Sequence, residues 1–259
     1  QYRSPDAQIT GVITLTSNNS THGFAHLYAW SGDDGYSTST AWISGTGTIT
    51  AVYHLAALSG MDWQVVAVYE THNHYWITRT TVAVANPGPT FHDLMLSGPQ
   101  LKPAPVTVLL DPTQDRSIEL SDGTRIFIPA GAISATGNVI LHITPLANGS
   151  HEAHADPIDL SYAFEAYTSD GQLITSNFNQ DVVITFKVDP ADLAARHLDL
   201  RHVRPAYYST TTNSWTVPDS FVIDESNHEI TMQIDHFTRF GKMGMEGGGS
   251  DIFLPLVLR

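Results

Sequence analysis

Gln8-Ile9-Thr10-Gly11-Val12-Ile13-Thr14-Leu15-Thr16 decides the class of this chain. From Ile13 onward, apolar and threonine side chains alternate with the period of two that a half-buried strand requires. Working outward, short runs of Val, Ile, Thr and aromatic residues recur, separated by Gly, Asn, Asp and Pro. That texture predicts strands over 8–16, 23–30, 46–54, 63–70, 75–84 and 90–96. Further on it predicts strands over 106–110, 117–120, 124–128, 138–145, 160–168, 181–188, 202–208, 214–217, 221–224 and 229–236. Ser121-Asp122-Gly123 and Ser169-Asp170-Gly171 read as hairpin turns. The one helical stretch is 189–196, with Asp189 as cap and Pro190 in the first turn. Strands without a βαβ rhythm predict an all-β protein: two antiparallel β-sandwich domains in tandem, followed by a C-terminal apolar strand.

Pro and Gly divide the chain. Gly98-Pro99-Gln100-Leu101-Lys102-Pro103-Ala104-Pro105 holds three prolines and reads as a stiff linker over 98–106. It separates a domain over 1–97 from one over 107–241. A Gly-rich linker over 242–250 then leads to 251–259, an apolar C-terminal strand or sorting tail. Ile252, Phe253, Leu254, Leu256, Val257 and Leu258 are its interaction candidates, because an exposed apolar strand seeks a partner edge.

Composition excludes several function classes. The 259 residues carry 12 basic against 26 acidic groups, a net charge of −14, which argues against nucleic acid and anionic membrane as partners. Charged residues are 15% of the chain, below the roughly 25% of an average soluble domain. About a fifth of the residues are Ser or Thr, and Lys102, Lys187 and Lys242 are the only lysines. A surface polar through hydroxyls suits an extracellular or cell-surface β-protein. Cysteine is absent, which removes thiol nucleophiles, thiolate metal sites and disulfides. No run approaches the 18 apolar residues of a transmembrane helix.

Three segments carry family resemblances. Ile9-Thr10-Gly11-Val12-Ile13, Gly23-Phe24-Ala25-His26-Leu27-Tyr28-Ala29 and Leu55-Ala56-Ala57-Leu58-Ser59-Gly60-Met61-Asp62-Trp63-Gln64-Val65 resemble the opening strands and turn of the transthyretin-like, carboxypeptidase-regulatory type of β-sandwich. Gly123-Thr124-Arg125-Ile126-Phe127-Ile128-Pro129-Ala130-Gly131-Ala132 resembles the ZU-type domain of zonula occludens proteins, netrin receptors and ankyrins. Trp215 and Ile234-Asp235-His236-Phe237-Thr238-Arg239-Phe240-Gly241 are similar to that family's closing strands. Ile252-Phe253-Leu254-Pro255-Leu256-Val257-Leu258-Arg259 looks like a C-terminal signature of exported bacterial proteins, which implies export or surface retention.

The chemistry candidates compete with plain structural roles. His72 and His74 lie two apart, a chelating spacing on one strand face; His151 and His154 form a second cluster with Glu152. The competing reading is surface histidines in a lysine-poor chain. Abundant carboxylates such as Asp33, Asp34, Asp111 and Asp115 are compatible with calcium as the one cofactor considered, although no calcium loop motif occurs. His236, Phe237 and Thr238 match a self-cleaving arrangement that the ZU resemblance implies: hydroxyl nucleophile, imidazole base and a strained peptide between Phe237 and Thr238. Tyr28, Trp30, Trp42, Tyr75, Trp76, Tyr207 and Tyr208 are candidates for a polysaccharide-stacking platform. There is no G-x-S-x-G and no phosphate loop. The expected function is therefore a non-catalytic extracellular structural or adhesion protein, self-assembling through its C-terminal strand. The alternatives are a carbohydrate-binding module and a self-cleaving chain.

Overall fold

The computed structural model describes residues 4–31, 35–147, 156–195, 198–212 and 214–244. The chain forms two compact units that meet in sequence between Lys102 and Pro103. It is almost entirely β, as its alternation predicts.

The first unit is built on one long hairpin, β1 (Ala7–Ser31) and β2 (Gly35–Ala57). It is followed by β3 (Met61–Glu70), β4 (His74–Val84), β5 (Gly88–Phe91), β6 (Leu94–Met95) and β7 (Ser97–Leu101). The strand order is β2-β1-β3-β4-β7, with β5 and β6 also on β1. The hairpin breaks in its middle. Its register shifts between Ser17 and Thr21, opposite Gly47 and Gly45, whose φ angles of +76° and +141° suit glycine. Before the break β1 pairs with β5 and β6; after it, β1 pairs with β3. Ile9, Ile13, Leu15, Tyr53 and Leu55 from one half share a core with Leu27, Ile43, Trp63, Tyr69 and Trp76 from the other. The ribbon therefore folds back on itself and closes two layers over one core. Two side chains stitch the layers: Trp76 Nε1 donates to the Thr16 carbonyl at 3.1 Å, and the Tyr53 hydroxyl to the His92 carbonyl at 2.5 Å.

The second unit is a two-sheet sandwich. Its strands are β8 (Val106–Leu110), β9 (Arg116–Glu119), β10 (Arg125–Ile128), β11 (Val139–Leu146), β12 (Asp156–Thr168), β13 (Val182–Lys187), β14 (Val203–Ser209), β15 (Ser214–Thr216), β16 (Phe221–Asp224), β17 (Glu229–Ile234) and β18 (Arg239–Gly244). The orders are β16-β17-β13-β10-β9 and β15-β14-β18-β12-β11-β8, with antiparallel pairing. Ile126, Ile184 and Phe186 from the first sheet meet Leu141, Phe164 and Phe240 from the second in a common core. The short helix α1 (Pro190–Ala195) starts where expected, with Asp189 Oδ1 accepting from the Ala191 amide at 2.8 Å.

Several expectations are corrected. The runs at 8–16 and 23–30 are one strand, and residues 36–44, outside every predicted strand, form the first half of β2. The first unit is not purely antiparallel, because β5 and β6 run parallel to β1. The stretch 98–106 is not linker throughout: Ser97–Leu101 pairs with β4, and Val106 opens β8. The linker assigned to 242–250 begins too early, because Lys242 and Gly244 belong to β18, between β12 and β14. Lys242 is buried and its ammonium donates to the Lys187 carbonyl at 2.7 Å, so its charge is accommodated inside.

Candidate functional site

Strand alternation sends odd-numbered residues of β3 (Trp63, Val65, Ala67, Tyr69) into the core and even-numbered ones to the opposite face. The register carries that face across the sheet. Phe24 stands opposite Trp42, His26 opposite Thr40 and Val68, Tyr28 opposite Thr38 and Val66, and Trp30 opposite Tyr36 and Gln64. Val68 in turn pairs with Ile77, and Glu70 with Tyr75. The result is an aromatic outer face on the first unit. Phe24 and Trp42 make an edge-to-face pair with centroids 4.9 Å apart, and their exposures are 54% and 53%. His26 stacks parallel to Tyr28 at 6.5 Å. Tyr28, Trp30, Val66 and Val68 are buried although they point away from the core.

Burial holds the His26 imidazole below its ordinary pKa, and the nearby Glu70 carboxylate opposes that shift. Glu70 also meets Lys102 at 3.4 Å. Of the aromatic residues singled out from sequence, Tyr28, Trp30, Trp42 and Tyr75 share this face. Trp76 does not; it faces the core. Tyr208 lies in the second unit, where Trp215 packs edge-on at 5.9 Å and the Arg239 guanidinium covers the ring at 5.1 Å. Tyr207 turns inward against the second core.

The same sheet presents a long edge. Among the described residues β2 pairs with β1 alone, so no other described strand bonds along its far side. β2 is 23 residues long and contains no Asp, Glu, Lys, Arg or Pro. Among the described residues the other edge strands are β5, β6, β7, β8, β9, β15 and β16, each of 2 to 5 residues. Natural sheets blunt their edges with short strands, lysine and proline; β2 has none of these. Sequence reading missed this edge and Phe24. The readable signal was the uncharged, proline-free run from Gly35 to Met61.

The remaining candidates are placed as follows. His72 lies in the turn before β4 and only His74 is on the strand, so they do not share a strand face as the spacing suggested. His151, His154, Asp33, Asp34 and the apolar residues 252–258 lie outside the described residues. Among the described residues no three His, Asp or Glu side chains gather as a metal site. Asp111 accepts from Gln114 and from the Thr113 hydroxyl and amide, and the two Thr113 bonds hold its carboxyl below the usual range. The Asp115 carboxylate accepts from the Ala130 amide.

His236 and Thr238 are not engaged with each other. His236 Nδ1 is 2.7 Å from Asp235 Oδ1, while the Thr238 hydroxyl donates to the Tyr208 carbonyl at 2.7 Å. Phe237 packs against Phe164 and Phe178. The only described non-glycine residue with positive φ is His228, so the strain a self-cleaving peptide needs is not at this bond.

No protein-family model matches the chain, and no curated protein matches it.

Proposed function

We propose that this chain is a non-catalytic structural and adhesion protein of an extracellular or cell surface, and that it associates with copies of itself along the β2 edge. One observation carries the reading: a 23-residue edge strand with no Asp, Glu, Lys, Arg or Pro, where the other described edge strands are short. Main-chain pairing at such an edge supplies affinity, and the exposed side chains beside it supply selectivity. The hydroxyl-rich, lysine-poor composition supports the extracellular setting, as do the resemblances to transthyretin-like and ZU-type sandwiches. The test is light scattering coupled to size exclusion over a concentration series. The full chain should form oligomers, and a Thr38→Lys, Thr40→Lys double variant should shift them towards monomer. A chain that stays monomeric at every concentration sinks the proposal.

A second reading rests on the Phe24–Trp42 pair. Exposed rings beside Thr38 and Thr40 form a neutral platform of the kind that stacks on sugar rings, which makes carbohydrate binding the alternative. Native gels cast with neutral polysaccharides should retard the full chain and not Trp42→Ala. Equal mobility of the two would remove this alternative and leave self-association standing.

A further inference from the structure

We infer that the occupant of the β2 edge is the C-terminal segment 251–259 of a second copy of this chain. The inference rests on the proposed self-association and names its donor strand. The described chain leaves β18 at Gly244, where the strand already has Asp156 on one side and Val203 on the other. Both flanks of β18 are thus taken, and the segment that follows needs an edge elsewhere. Residues 245–250, Met-Glu-Gly-Gly-Gly-Ser, form a spacer that reaches at most about 20 Å. A Gly-rich spacer of that length is long enough to carry residues 251–259 to an edge outside the sheet that holds β18.

Length, pattern and charge fit the acceptor. Nine residues in extended form cover roughly 30 Å, the span of residues 35–44 of β2 before the glycine break at Gly45 and Gly47. At period two, Ile252, Leu254, Leu256 and Leu258 share one face of the incoming strand, and Phe253 and Val257 share the other. One face lies beside Tyr36 and Trp42, which are 37% and 53% exposed, and the other beside the rim of the core at Ala41 and Ile43. Pro255 lacks an N–H, so it takes a position whose N–H site points away from β2. The donor's charges, Asp251 and Arg259, sit at its two ends, and β2 carries none, so pairing strips water from no ion in the middle. Donor and acceptor are different surfaces. The contact is heterologous and propagates into a filament instead of closing as a symmetric dimer.

The experiment uses the full chain, a Leu254→Arg, Leu256→Arg variant and a labelled 251–259 peptide. The inference expects concentration-dependent oligomers for the full chain and a monomer with unchanged melting temperature for L254R/L256R. It also expects the peptide to bind that monomer, more than tenfold more weakly once Thr38→Lys and Thr40→Lys are added. If L254R/L256R still assembles, β2 edges pair with each other. That outcome overturns the donor assignment while leaving self-association intact. A monomeric full chain whose melting temperature falls in L254R/L256R places the segment on its own molecule and overturns both. Peptide binding indifferent to the two lysines removes β2 as the acceptor.

Discussion

At the scale of single residues, close backbone approach and burial make the sharpest demands. A methyl group built on Gly11 would lie 2.0 Å from the His92 carbonyl oxygen, and no rotamer change relieves a backbone clash. Gly11→Ala should therefore cost about 1–3 kcal/mol through forced separation of β1 from the 92–93 segment, read from urea melts of the full chain. An unchanged midpoint would mean that the crossing at His92 is looser than described. His26 makes a pH prediction. Its folded pKa is depressed by burial, so between the folded and unfolded values the unfolded state binds the extra proton. The stability it contributes is present above the ordinary histidine value near 6.5 and is lost as pH falls through the folded value. Tyr28, Thr40 and Val68 beside it are uncharged, and among the described residues Glu70 is the carboxylate acting on it. His26→Gln should flatten the fall in first-unit stability between pH 7.5 and 5.5. Parallel curves for variant and parent would assign that fall to other histidines.

At the scale of elements, the break in the β1–β2 ribbon is the decisive device. A Cβ on Gly47 would meet nothing within 4 Å, yet its φ is +76°. Gly47→Ala therefore isolates the backbone cost and should destabilise the first unit by about 1–2 kcal/mol, measured by thermal melting. A neutral result would show that the bend does not depend on the left-handed backbone. Most strands were legible because one face alternates cleanly, as in β11, β13 and β17. Residues 36–44 were not, because three of their inward positions are the small Ser37, Ser39 and Ala41 and only Ile43 is large and apolar, which is too little for an apolar rhythm. Residues 97–101 were hidden by Gly98 and Pro99, which read as linker but are tolerated on an edge strand such as β7. The site was half legible. The aromatic residues could be named from sequence, but only the register gathers Phe24, His26, Tyr28 and Trp42 on one face. The length of the β2 edge depends on pairing that no local pattern encodes.

At the scale of the whole molecule, charge and core organisation govern behaviour. The net charge of −14 at pH 7 opposes the approach of copies, and acidification reduces it. Association through an uncharged edge should therefore strengthen as pH falls from 7.5 to 5.0; light scattering that stays flat over that range would separate assembly from net charge. The two cores make the last prediction. The first is assembled from residues between Ala7 and Leu96, the second from residues between Val106 and Phe240. Each sheet closes its hydrogen bonding within its own unit, and β7 and β8 flank the boundary at Lys102 and Pro103. Each unit of roughly 100 to 150 residues is large enough to bury a self-sufficient core. Fragments 1–102 and 103–259 should each give a β-type circular dichroism spectrum and a cooperative melt. Fragment 103–259 keeps the donor segment and lacks β2, so it should remain monomeric. Fragment 1–102 keeps β2 and lacks the donor, so it should be monomeric too. Mixing them should produce a one-to-one complex that stops there, because each partner then offers only one half of the contact. A mixture that grows beyond one-to-one, or a fragment that assembles unaided, would show that the edge and its donor are not the pair that links the chain.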